Sequence, residues 1–409
     1  MTSAASSSPA SPARRWTLFG RDTEEPHRVS TPLELLFDLT FVVAIAAAAS
    51  QLHHAVGDHH LGQGLHRFAA VFFAIWWAWM NFTWFASAYD NDDPVYRLLT
   101  MLQMVGVLIL AAGVPAMAEG HLATVTAGYA VMRIPLMVQW WRASRDHPQC
   151  RLACRRYAIG IGLVQLLWLL RLLLPTEYGW YAFYLLVVAE LAVPVWAEMS
   201  EPTPWHAHHI AERYGLFTII VLGECVLGAT NAIGNVIATT GWSLDTALVG
   251  LGSAGLVLSL WWSYFLMPSA ETLHRHRNRS FGWGYGHFAI FASLAALGAF
   301  LEVAADALKT GPAAGGADHG AVTPLLAISL IAAAVAVYLV TIWVIGIWLE
   351  RDFARLWWPL AGGFGWLALV VAAVALGLPL PWAMVALVGT PALAIWIFER
   401  GRQADHHAH

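Results

Sequence analysis

Apolar runs of about 20 residues, the length of a helix that crosses the hydrocarbon core of a bilayer, recur in this chain from Thr31 to Glu399. Hydrocarbon offers no partner to a backbone N–H or C=O. Only structures that satisfy their own backbone can span it, and runs of this length select the helical one. Composition agrees: 12% of the 409 residues are charged, against about 25% in soluble domains. The expected fold is an all-α polytopic transmembrane helix bundle.

The runs divide into about twelve spans, near 32–55, 66–88, 94–117, 121–141, 155–174, 179–198, 209–231, 244–267, 284–308, 322–347, 355–376 and 381–399. Helix punctuation falls between them: Pro32 in a first turn, Asp93-Pro94 as cap and first-turn proline, Pro175 after a helix, and Gly311-Pro312 in a loop. With both termini placed in the cytoplasm, 18 of the 22 basic residues fall on that side. They cluster at Arg142–Arg156, Arg275–Arg279, Arg351–Arg355 and the two tails. Arg67 and Lys309 fall outside, and Arg133 and Arg171 fall within spans. This asymmetry is the positive-inside pattern, and it predicts an inner (plasma) membrane protein with the lipid bilayer as its partner.

Residues 1–30 are rich in Ser, Ala and Pro, carry no apolar signal-peptide core, and read as a disordered cytoplasmic tail. Residues 401–409 read as a short solvated tail. Between them, 31–200 and 205–400 each hold six spans. Glu34 and Glu212 open corresponding helices, and Trp76-Trp77 is echoed by Trp261-Trp262. An even number of spans per half predicts a parallel 6+6 duplication.

A few polar residues fall inside spans, where they are costly and call for a partner or a wet cavity. Glu34 and Asp38, four apart, share a helix face. They suit a cation or proton site at the cytoplasmic mouth, or, alternatively, a dipole-complementing acid and a structural ion pair. Glu224 lies near mid-bilayer, twelve residues past Glu212, flanked by Gly223 and Gly228 and with Asn231 on its face. It suits a proton carrier, or a protonated glutamate that joins helices. Arg133, Arg171 and Glu190 read as a structural intramembrane ion-pair network, with anion binding as the alternative. His53-His54, His59-His60 and His206, His208 and His209 fall at span edges and read as solvated rather than as metal ligands. His287 reads as core packing, and Asp90, Asp92 and Asp93 as a solvated capping turn. Cys150, Cys154 and Cys225 imply no disulfide framework. No nucleotide-binding, metalloprotease or hydrolase motif is present. No cofactor, metal, catalytic residue or nucleic-acid partner is therefore expected.

ELLFDL at Glu34–Leu39, followed by TFVVAIA and QLHH, together with ERYGLFTIIVLGE at Glu212–Glu224, WWAW at Trp76 and YDNDD at Tyr89, resembles the bacterial low temperature requirement A family. The resemblance implies an integral membrane protein and leaves its activity open. Leu33-Glu34-x-x-Phe37-Asp38 also resembles the first-helix pattern of a potassium-channel family built of six-helix units, although no serine separates Phe37 from Asp38 and the second half has no matching aspartate. The expected activity is secondary transport or channel-like permeation of a cation or proton, along Glu34, Asp38, Glu212, Glu224 and Asn231. A membrane-embedded enzyme acting on a lipid or apolar substrate is the first alternative, and a membrane sensor or scaffold the second.

Overall fold

The computed structural model describes residues 17–25, 28–309, 322–350 and 353–408. Among them are thirteen α-helices and no strand. They are α1 (Pro32–Gly57), α2 (Leu61–Tyr89), α3 (Pro94–Ala118), α4 (Ala123–Asp146), α5 (Arg151–Arg171), α6 (Gly179–Glu198), α7 (Ala207–Thr240), α8 (Leu244–Phe265), the short α9 (Ser269–Arg275), α10 (Ser280–Lys309), α11 (Pro324–Glu350), α12 (Phe353–Ala375) and α13 (Leu380–Ala408). Each of the twelve predicted spans coincides with one long helix. Arg14, Arg15, Arg351 and the predicted Gly311-Pro312 loop lie outside the described residues.

Among the described residues, eleven helices are long and apolar enough to cross a membrane, judged by length and composition. The protein is a multi-pass membrane protein. The long helix outside that count is α4, whose apolar character is diluted by Thr124, Thr126, Arg133 and Gln139. Three of those four, Thr126, Arg133 and Gln139, are buried, which places their polarity against protein. Helix α4 lies between α3 and α5 all the same.

The chain forms two compact units, residues 1–40 with 77–210 and residues 41–76 with 211–409. This differs from the predicted halves 31–200 and 205–400, because parts of α1 and α2 belong with the second unit. Side chains give the reason. Phe41 meets Phe217 edge-on, and Trp76 packs on Phe288 of α10 at 5.3 Å between ring centroids. The sequence echo of the tryptophan pairs is not matched in burial: Trp76 and Trp77 are buried, whereas Trp261 and Trp262 are about half exposed.

In the first unit, α3 to α6 pack as consecutive neighbours. A Cβ on Gly128 of α4 would lie 2.4 Å from the Leu110 backbone nitrogen of α3, so small residues let these two backbones touch. Trp140 of α4 stacks on Tyr157 of α5 at 4.0 Å. Asp93 caps α3, accepting from the Tyr96 N–H at 2.6 Å, and also pairs with Arg142. Burial drives the Asp93 carboxyl upward, but Arg142 and the Tyr96 N–H outweigh it and hold it below its ordinary value. Asp90 and Asp93 are buried, so the acidic turn predicted as solvated is so only at Asp92.

Residues 17–25 and 28–30 of the predicted disordered tail are placed by the fold. Leu18 is fully buried, and its N–H donates to Asp146. The buried Arg28 donates to the carbonyls of Ser87 and Ala86 at 2.6 and 2.7 Å, where the last turn of α2 leaves carbonyls without helical partners. At the other end of the chain, helix α13 continues through the predicted C-terminal tail to Ala408.

In the second unit, α8 packs on α13, α10 on α11, and α12 on α13. Glycines again mark the near approaches: Gly252 against Met384, Gly286 against Ile345, and Gly228 of α7 against Gly298 of α10. His287 is buried and has both ring nitrogens engaged, by the Trp283 carbonyl at 2.7 Å and the Tyr264 hydroxyl at 3.0 Å. It packs the core.

Candidate functional site

Helix α10 carries Gly298, Glu302 and Asp306 at steps of four, hence on one face. Glycine at 298 leaves room for Glu224 of α7, whose Cγ would lie 2.9 Å from any Cβ placed there. One turn further along α7, a Cβ on Gly228 would lie 2.4 Å from the Gly298 carbonyl oxygen. The two backbones therefore meet directly beside the Glu224 side chain.

A polar seam continues along that face. Asn231 of α7 donates to Glu302 Oε1 at 2.6 Å. His53 of α1 sets Nδ1 3.5 Å from Glu302 Oε2 and Nε2 2.7 Å from Asp306 Oδ2. One imidazole thus stands between two carboxylates, a nitrogen toward each. From Gly298 to Asp306 the seam runs about 12 Å along the helix axis. Its side chains open from 21% exposed at Glu302 to 38% at Asp306, while Glu224 is buried.

The first unit holds a different polar centre. Thr31 and Glu34 form a reciprocal capping box at the start of α1. The Glu34 N–H donates to Thr31 Oγ1 at 3.3 Å, and the Thr31 N–H donates to Glu34 Oε2 at 2.8 Å. His209 Nε2 lies 3.2 Å from Glu34 Oε1. His206 begins the next layer: its Nδ1 accepts from the His209 N–H at 3.3 Å, so Nε2 bears the proton and donates to the Glu25 carbonyl at 2.9 Å. Burial lowers the His206 pKa, which favours this neutral form. Asp38 accepts from the Trp79 indole at 2.7 Å, with both side chains fully buried. Nearby Asp90 titrates at about 6, raised first by burial and then by Glu34, with Arg28 opposing.

Also in the first unit, Glu190 is fully buried and receives four donors. Trp77 Nε1 and Arg133 Nη2 reach Oε2 at 2.8 and 2.7 Å, and Tyr129 Oη and Trp168 Nε1 reach Oε1 at 2.9 and 3.1 Å.

Residues 29–391 match the family described as bacterial low temperature requirement A protein (LtrA). The chain belongs to the LtrA family. It is also 25% identical over 258 residues to an uncharacterized protein of Rhizobium meliloti (strain 1021). That match covers 60% of each chain, so it spans less than two thirds of the relative's length.

In this LtrA-family chain the predicted site residues do not gather at one place. Glu34 and Asp38 lie in the first unit, and Glu224 and Asn231 line the α7–α10 seam. Asn231 is bonded to Glu302 two turns from Glu224, and Glu212 is half-buried on α7. Arg133 and Glu190 come together, but Arg171 does not join them. It ends α5, donates to the Gly179 carbonyl at 3.0 Å and lies over the Trp168 and Phe183 rings. A cation at a helix C-terminus is satisfied locally by carbonyls and the dipole. Gly223 has nothing near it, so Gly228 alone of the two flanking glycines makes the close approach.

Glu302 and Asp306 are absent from the predicted site residues, although their four-residue step from Gly298 is legible in the sequence. His53, His206 and His209, expected to be solvated, are instead partnered. Proximity to predicted span ends concealed their partners, which come from helices distant in sequence.

Proposed function

We propose that this LtrA-family membrane protein is a secondary transport or channel-like path for a cation, and that the ion is the proton. The observation that carries the reading is His53 held between Glu302 and Asp306, one ring nitrogen toward each. An imidazole can accept a proton at one nitrogen and release one from the other, and intramembrane carboxylate–histidine chains serve as proton relays. Glu224 is the inner carboxylate of the seam, and Asn231 orients Glu302. Of the remaining candidates, Glu34 is taken up by the capping box of α1, whereas Asp38 is buried deeper in that helix on the Trp79 indole.

Reconstituted vesicles with an internal pH dye and an imposed membrane potential test this. Wild-type protein is expected to acidify or alkalinise the lumen, with Glu224→Gln and His53→Ala each cutting the rate at least about a hundredfold, the low end of what a positioned proton-transfer group contributes. Folded variants that conduct at the wild-type rate would overturn the assignment. Flux that survives at the seam but is lost in Asp38→Asn would move the path to the first unit.

The reading includes an orientation, with both termini in the cytoplasm of the inner membrane, supported by the arginine asymmetry. The parallel 6+6 duplication belongs to the same proposal. It is supported by the placement of Glu34 and Glu212 near the starts of α1 and α7.

A further inference from the structure

We propose that the end of the first unit where α4, α5 and α6 meet is a binding site for the phosphate headgroup of an anionic phospholipid. Three helix ends converge there: Trp140 of α4 stacks on Tyr157 of α5, and Arg156 of α5 donates to the Trp196 carbonyl of α6 at 2.9 Å. On α5 the exposed apolar stripe Leu152, Ile159, Leu163 and Leu166 contains Arg155 at the same spacing, next to exposed Arg151. On α4 the exposed stripe Ile134, Val138 and Trp141 ends in exposed Arg145. Both stripes thus pass from acyl-chain-facing apolar residues to arginines within a turn.

The aromatic groups at this level fit a membrane–water interface. Trp141 and Trp196 are 41% and 43% exposed. The Arg145 guanidinium lies 5.8 Å from the Trp141 ring, and that of Arg156 lies 5.3 Å from the Trp196 ring. Indoles prefer the headgroup level, and stacked guanidinium groups keep donors for phosphate oxygens.

Three of the acids at this end are held by protein groups. Asp146 accepts from the Leu18 N–H, Asp93 is paired with Arg142, and Glu198 accepts from Thr203 and Tyr157. Glu201 is half-buried. Among the described residues, Arg145, Arg151 and Arg155 have no carboxylate within ion-pair distance. Three exposed cations bordering lipid-facing stripes call for an anion that carries its own acyl chains.

Native mass spectrometry of the full chain in detergent tests the site, with phosphatidylglycerol and phosphatidylcholine of identical chains added in turn. Retention of phosphatidylglycerol over phosphatidylcholine is expected. Replacing Arg145, Arg151 and Arg155 together by Gln should weaken it by about fivefold per arginine. The corresponding triple Lys variant should keep most of the preference. Equal retention of both lipids by the wild type, or undiminished phosphatidylglycerol binding by the folded triple Gln variant, would overturn the proposal. So would displacement of the lipid by millimolar inorganic phosphate, which would mark a free-anion site. If the Gln variant fails to fold, the wild-type preference and its loss at high salt still decide the question.

Discussion

Glu190 shows how a single charge survives inside a membrane protein. Arg133 neutralises it, while Trp77, Tyr129 and Trp168 fill its remaining lone pairs. Removing one member should therefore have unequal effects. Glu190→Leu strands a buried guanidinium, and a loss of about 3–5 kcal/mol is expected. Arg133→Met should cost less, because the carboxyl keeps three neutral donors and can take up a proton. Denaturant or thermal unfolding in detergent would rank the two. Asp90 provides a pH test at the same scale. Its folded pKa of about 6 lies above the ordinary 3.8, so the folded state holds the proton more tightly than the unfolded one. Its contribution is favourable below about pH 4, falls as pH rises toward 6, and is an unrelieved cost above that. Asp90→Asn should remove a pH-dependent loss on the order of 2–3 kcal/mol, read as the difference between unfolding free energies at pH 4 and pH 7.

At the scale of elements, glycine decides how closely helices meet. Lipid supplies no hydrophobic drive between transmembrane helices, so close packing must hold them. On α7, Gly228 is in backbone contact with Gly298 while Gly223 faces open space. Gly228→Ala must part α7 from α10 and should cost about 1–3 kcal/mol, together with proton flux along the adjoining seam. Gly223→Ala should be neutral or stabilising by up to about 1 kcal/mol, since alanine favours helix. Equal effects of the two substitutions on thermal stability would show that the α7–α10 approach does not matter. Helix α4 makes a related point. Its polar residues lower its apolar character, yet Gln139 bonds Gln103 and Thr100 of α3, and Arg133 pairs with Glu190.

For the whole molecule the question is direction. If α4 crosses along with its eleven companions, the number of spans is even and both termini share one side. Cys150, Cys154 and Cys225 are all buried, which makes single-cysteine labelling feasible. Cysteines introduced at Ser7 and Ala404 should react only from the cytoplasmic side, and one at Gly57 only from the outside. Termini labelled from opposite sides would mean that α4 does not cross. They would also undo the parallel duplication, which requires an even number of spans in each half.

The length and hydropathy of successive runs, together with caps such as Asp93-Pro94, determined the helices from sequence alone, because helical backbone bonds are local and a span's length is set by the bilayer. The capping box at Thr31 and Glu34 was local too, and the dipole-complementing role considered for Glu34 came from the same information. Only the tertiary structure decided which polar groups meet. His53 lies 249 residues from Glu302, and Trp77 lies 113 residues from Glu190. No local pattern encodes such pairs, because the cost of burying one partner is relieved by another that sequence spacing does not bring near. The division into units has the same origin: α1 and α2 are each continuous in sequence, but their side chains pack with two different sets of neighbours.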